Sequence, residues 1–313
     1  MLAALQQTLG ITAPVFSMLF LGVLLKRLGW INDSFIETAS SLVFRGTMPT
    51  LLFLSIVRAD LSKAMQPALI GYFVLATLVG FFAIWAWAIW RCPWAERGIY
   101  TQGGFRGNNG IIGLALAASM YGDYGLSVGA VLGGVVIVCY NSLSAVILTL
   151  YAPGMKSDLR ALCKGVITNP PIIGVLLAIP VAYWEITLPH WLLVSGDYFA
   201  QMTLPLALIC IGGTLSLASL RASSGIAVGS SLMKMVWLPL LSTLGAWACG
   251  FRGADLAILF LYFASPTAAA SFVMVRAING NHQLAAAIIV ITTLMAVVTT
   301  NVGLLLLQWA GWV

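Results

Sequence analysis

Apolar residues run along this chain in long blocks, and polar positions cluster in the gaps between them. Ten blocks stand out, at 8–27, 33–57, 66–90, 98–121, 124–151, 158–182, 190–218, 222–250, 253–277 and 281–312. A hydrocarbon core about 30 Å thick needs about 20 residues of helix to cross it, so each block reads as a transmembrane helix. The blocks do not alternate apolar with polar, and they exceed the roughly 9–11 residues of a barrel strand. The pattern predicts an all-α, polytopic membrane protein of ten helices.

Composition agrees. Of 313 residues, 61% are hydrophobic and only 8% charged, where a soluble domain carries about a quarter charged. These figures exclude a soluble fold, a disordered chain, collagen and a disulfide scaffold, and ten spans leave no room for a sizeable soluble domain. The net charge of +6 reads as membrane topology, so no nucleic-acid partner is expected. Odd-numbered connections hold Lys26, Arg27, Arg91, Arg97, Lys156, Arg160, Lys164, Arg221 and Arg276; even ones hold only Arg58, Lys63 and Arg252. Loops rich in Lys and Arg stay in the cytoplasm. This predicts a multi-pass protein of the cytoplasmic membrane with both termini outside. No cationic leader or cleavage site precedes residues 8–27, so that block reads as a retained helix. Cys92, Cys139, Cys163, Cys210 and Cys249 are far apart and form no CxxC pair, which reads as small buried hydrophobes.

Internal repetition organises the blocks. FRGNNGIIGLALAASMYGDYGL (105–126) aligns without gaps on 263–284, so that Phe105 meets Phe263, Gly122 meets Gly280 and Leu126 meets Leu284. Met48-Pro49 aligns on Leu204-Pro205, and Pro14 on Pro171, at nearly the same shift of about 157. The repeat units are 1–152 and 153–313, five helices each. Because five is odd, the second unit enters the membrane from the opposite side. Inverted repeats of this kind are common in secondary transporters.

Two spans are interrupted at equivalent places. Gly103-Gly104-Phe105-Arg106-Gly107-Asn108-Asn109-Gly110 disfavours helix in the fourth, through glycine entropy and competing Asn side chains. Ala264-Ser265-Pro266-Thr267 interrupts the ninth, where proline removes a hydrogen bond and clashes with the preceding turn. Paired interruptions point to a midplane binding site, and irregular backbone survives at that depth only inside protein or beside a water-filled cavity. Half-helix N-termini there favour anionic groups. Asn108, Asn109, Ser265 and Thr267 would add neutral donors and acceptors.

All nine acids fall at or near span ends, whereas Arg45, Arg106 and Lys234 lie inside spans. Arg45 is 12 residues into its helix, or about 18 Å at 1.5 Å per residue. Intramembrane charge is expensive and marks function, although Arg45 and Lys234 could equally snorkel or cap helix ends. With no deep carboxylate to pair with, these cations favour an anionic substrate and argue against an exchanger of Na⁺ for H⁺. Asn141 and its repeat partner Thr299 either line the cavity or bond helices together. Only His190 and His282 are present, and no HExxH, GxSxG or paired deep carboxylate occurs. No enzyme, metal site or cofactor is therefore expected. A coupling ion, Na⁺ or H⁺, stays open, as do a non-transporting sensor or receptor and an anion channel.

Residues 48–61 (MPTLLFLSIVRADL), 104–122 (GFRGNNGIIGLALAASMYG), 169–179, 204–217 and 264–291 resemble the auxin efflux carrier family of membrane transport proteins, nearest its bacterial malonate-permease branch. FRGNNG and SPT are the most specific parts. The resemblance implies ten helices in two inverted repeats, as in bile-acid symporters and sodium/proton antiporters, with helices four and nine crossing at their breaks. It implies a homodimeric scaffold of helices 1, 2, 6 and 7, and six further helices that move as an elevator. Asn108 and Asn109 would face a substrate carboxylate with Asn141 nearby, and Pro266 would be the ninth-helix crossing proline. Plant auxin carriers have proline at both crossings, whereas this fourth helix has Gly107 and Gly110. The long cytosolic loop of many plant members is absent. The expected substrate is a small organic carboxylate such as malonate or an auxin-like acid.

Overall fold

The computed structural model describes residues 2–58, 66–152, 170–214 and 225–313. Lys63, Lys156, Arg160, Cys163, Lys164 and Arg221, and the boundary between the repeat units, lie outside the described residues. Among those described, every regular element is helical.

The chain opens with α1 (Leu2–Arg27) and α2 (Asp33–Leu42), which runs through a π-turn, Val43–Thr47, into α3 (Met48–Arg58). Next come α4 (Pro67–Arg91), α5 (Arg97–Phe105), a π-turn at Asn109–Gly113, and α6 (Leu114–Leu150). The second half has α7 (Pro170–Tyr183), α8 (His190–Gln201), α9 (Thr203–Thr214) and α10 (Gly225–Leu232). A π-turn at Met233–Trp237 leads to α11 (Leu238–Ala248), followed by α12 (Gly253–Phe263), α13 (Ala270–Ala277) and α14 (His282–Trp309). Starts are set locally. The side chains of Asn32 and Asn281 accept from the backbone N–H of Phe35 and Leu284, and Pro67 opens α4 where its missing N–H costs nothing.

Six described stretches are long and apolar enough to cross a bilayer: Asp33–Arg58, Pro67–Arg91, Asn109–Leu150, His190–Thr214, Gly225–Ala248 and His282–Trp309. Asn109–Leu150 has 42 residues, about 63 Å if straight, twice the hydrocarbon thickness. It folds back at Gly122 (φ 55°), which brings Gly125 against Ala117 and Gly129 against Leu114. The fourth and fifth blocks are thus antiparallel neighbours, as their polar gap at 122–123 predicts.

Exposure follows a membrane pattern. Leu75, Val79, Leu177, Leu241 and Val298 stand outward along helix bodies. Trp30, Trp90, Trp94, Tyr183, Trp184, Trp191 and Trp309 are exposed at helix ends, as in the aromatic belts of a bilayer interface. Lipid gives no hydrophobic drive for helices to associate, so close approach by small residues matters. Gly22 of α1 sits on the backbone of Ile209 in α9, Gly212 sits on that of Leu19, and Gly174 of α7 meets the backbone of Pro49. α1 packs on α9, and α3 on α7 and α8. α4, α5, α6, α10, α11, α12 and α14 pack among themselves around a larger core. Cys92 and Cys210 are buried as expected, but Cys249 is exposed, because it caps α11 beside the turn at Gly250.

Candidate functional site

α5 stops at Phe105 and α12 at Phe263, the residues the repeat alignment makes equivalent. Both rings are fully buried. Phe105 meets Tyr140 edge-on at 5.4 Å, and Phe263 stacks on Phe73 at 4.9 Å. Aromatic anchors therefore fix where each half-helix ends. The break in the fourth span is narrower than its composition predicts. Gly103 and Gly104 stay helical and give close packing, against Ser230 with Ile288 and against Ile84. Only Arg106–Asn108 leave the helix, and the chain resumes as a π-turn at Asn109.

The two interruptions meet. Gly107 and Thr267 form an isolated antiparallel bridge. The Asn108 N–H donates to Pro266 O at 2.7 Å, and the Ala268 N–H donates to Arg106 O at 3.2 Å. Thr267 donates its hydroxyl to Gly103 O (2.8 Å) and its N–H to Thr292 Oγ1 (3.1 Å). The crossing thus satisfies backbone groups that would be costly in lipid. The N–H groups of Asn108, Thr267 and Ala268 are therefore spent inside the protein.

Side chains carry the remaining polarity. Arg106 is 7% exposed and does not snorkel. Its Nη2 donates to Asn141 Oδ1 (2.8 Å), and its Nη1 to Ser144 Oγ (3.1 Å) and Met274 Sδ (2.9 Å). Its Nε has no partner among the described residues. Asn109 is fully buried; its Nδ2 donates to the Tyr140 hydroxyl at 3.2 Å, and its Oδ1 is unpartnered among the described residues. Lys234, also fully buried, donates from Nζ to Phe263 O at 2.9 Å. A Cβ on Gly107 would stand 3.0 Å from Lys234 Nζ and overlap Asn109 Oδ1, so all three groups meet at one point. The described residues hold two ion pairs, Lys26–Asp33 and Arg58–Asp197, and neither involves Arg106 or Lys234.

The structure therefore gathers Arg106, Gly107, Asn108, Asn109, Asn141, Pro266 and Thr267, and adds Lys234. Ser265 is buried beside them but returns its hydroxyl to Leu261 O of the preceding α12. Two expected residues make no hydrogen bond to this group among the described residues. Thr299 bonds back to Met295 O within α14. Arg45 is exposed and lines a cavity of about 380 Å³ with Pro49, Thr50, Phe53, Pro170 and Gly174, which includes none of the crossing residues. The π-turn at Val43–Thr47 turns it to that face. Sequence reasoning missed Tyr140, Ser144 and Met274. The first two flank Asn141 at helical i, i+4 spacing on one face of an apolar helix, a signal that was present. Met274 had none.

A helical, polytopic membrane protein whose two interrupted helices meet over buried cations has the make-up of a membrane transporter. Sequence comparison specifies the kind: the chain belongs to the membrane transport protein family, that of the auxin efflux carriers, whose profile matches residues 9–304. It is 25% identical over 304 residues to an uncharacterized transporter of Methanothermobacter thermautotrophicus, spanning 93% of this chain and 96% of that one. It is 28% identical, over a 324-residue alignment covering 96% of each chain, to a Rhizobium meliloti protein named as a candidate malonate transporter. The uncharacterized transporter YfdV of Escherichia coli is 24% identical over 309 residues, 93% of this chain and 95% of its own.

Proposed function

We propose that this protein is a secondary transporter for a small organic carboxylate, with malonate as the leading candidate, and that the crossing of the interrupted helices is its substrate site. The observation that carries this reading is the pair of buried cations, Arg106 and Lys234, with no carboxylate partner among the described residues. Burying an unpaired charge costs several kcal/mol even after relaxation; an anionic substrate would offset that cost each time it binds. The unspent Nε–H of Arg106 adds a donor that a carboxylate oxygen would satisfy. Asn109 and Asn108 would orient the anion. The name of the Rhizobium meliloti relative agrees with this substrate class.

The packing supports an elevator motion. The pairs α1–α9 and α3–α7 exchange under the repeat and would form a fixed scaffold of helices 1, 2, 6 and 7. The six remaining spans, which hold the whole crossing, would slide past it as an elevator. The ten-helix inverted-repeat topology, the cytoplasmic-membrane setting with both termini outside, and a homodimer built on the scaffold belong to the same proposal. Purified protein in proteoliposomes should take up labelled malonate saturably, with unlabelled carboxylates competing. Asn109→Ala should weaken both affinity and rate. Normal flux and affinity in that variant would remove the crossing from the reading, and binding without flux would turn the protein into a sensor.

A further inference from the structure

Every carbonyl in the last turn of α12 has an identified partner. Phe260 O accepts the Ala264 N–H, Leu261 O the Ser265 hydroxyl, and Tyr262 O the Ser265 N–H. The fourth, Phe263 O, accepts from the ammonium of Lys234. The C-terminal carbonyls of a helix carry partial negative charge. In carriers built on interrupted helices, those ends and the unwound carbonyls beside them are where a coupling sodium ion is held. Lys234 reaches this place because it sits in the π-turn Met233–Trp237, a local widening that often marks functional positions. A second oxygen, the unpartnered Oδ1 of Asn109, borders the same Gly107 position as Nζ. The repeat offers no second cation of this kind, since Thr77, the partner of Lys234 at a shift of 157, is neutral and buried.

We infer that the Lys234 ammonium is a tethered cation standing where a coupling sodium would be coordinated, at the carboxyl end of α12, and that the carrier works without Na⁺. The inference rests on the crossing being the transport site, and it names the ion economy of that site. A fixed ammonium supplies positive charge at the carboxyl end of α12, where it donates to Phe263 O. No sodium then needs to enter or leave with the substrate. Removing the ammonium bares the Phe263 carbonyl beside the unpartnered Asn109 Oδ1, a setting suited to a small hard cation.

Two readouts test this. The first is uptake of labelled malonate into proteoliposomes, with sodium present or replaced by N-methylglucamine. Wild type should transport equally in both. Lys234→Ala should lose about tenfold or more in sodium-free medium, the loss expected for one charge-assisted hydrogen bond, and should regain part of it in sodium. The second is thermal unfolding of the solubilised protein in sodium or choline chloride, which needs no transport. Wild type should be indifferent to the cation, whereas Lys234→Ala should be stabilised by sodium and not by choline. Sodium dependence of wild-type uptake, selective stabilisation of wild type by sodium, or a variant blind to sodium in both assays would each overturn the inference. If Lys234→Ala does not fold, Lys234→Gln takes its place and the wild-type measurements still decide. Absence of any uptake by wild type would count against the carboxylate reading alone, and the unfolding data would still judge the tethered cation.

Discussion

Asn109→Asp is the most informative single change at the crossing, because it adds a charge without changing shape. The wild-type amide is fully buried and bonds through Nδ2 to the Tyr140 hydroxyl at 3.2 Å. A carboxylate of the same outline accepts a hydrogen bond from that hydroxyl instead, so the local fold should survive. The electrostatics reverse. An anion bound at the crossing would lie about 4 Å from the new charge, and at an effective dielectric near 20 the repulsion is about 4 kcal/mol. Lys234, which borders the same point, would neutralise part of it. Half of the full value, about 2 kcal/mol, is still roughly thirtyfold in affinity. Malonate affinity should therefore fall by a factor of about thirty or more at neutral pH. It should recover as the pH is lowered, since protonation removes the introduced charge and with it the repulsion. The assay is competition of unlabelled malonate against labelled uptake across a pH series, with wild type as reference. Unchanged affinity at neutral pH in a folded variant would refute an anion site at the crossing.

Gly107→Ala should cost about 1–3 kcal/mol by overpacking, because its Cβ would press on Lys234 and Asn109, and should abolish uptake. Gly71→Ala, with nothing within 4 Å of its Cβ, should leave uptake unchanged and be neutral or slightly stabilising in thermal unfolding. Arg106→Met should lower the unfolding temperature and stop transport, since Asn141 Oδ1 and Ser144 Oγ lose donors worth about 1.5–3 kcal/mol each. Arg106→Lys should not rescue it, as a single ammonium lacks the planar fork that reaches both. A variant that keeps only the exposed Cys249 should react with a membrane-impermeant maleimide on intact cells. Labelling only after permeabilisation would invert the orientation drawn from the cation count.

The sequence by itself determined the class of molecule. Long apolar blocks and scarce charge permit few folds at 313 residues, because lipid leaves no alternative partner for backbone groups and helices satisfy them locally. It also located both interruptions to within a few residues, since glycine, asparagine and proline act on the backbone where they stand. Phe105 and Phe263 were already aligned by the repeat, although why the helices stop at them needed the aromatic packing. Tertiary structure alone decided which polar groups are spent and which are left over. In the sequence Arg45, Arg106 and Lys234 all read as intramembrane cations, with Arg106 set apart only by its place in the interruption. A π-turn carries Arg45 on an exposed face, another seats Lys234 on Phe263 O, and α6 and α13 supply the partners that hold Arg106. The difference arises from side-chain direction and from neighbours 29 and 38 residues away, and no local pattern of residues encodes either.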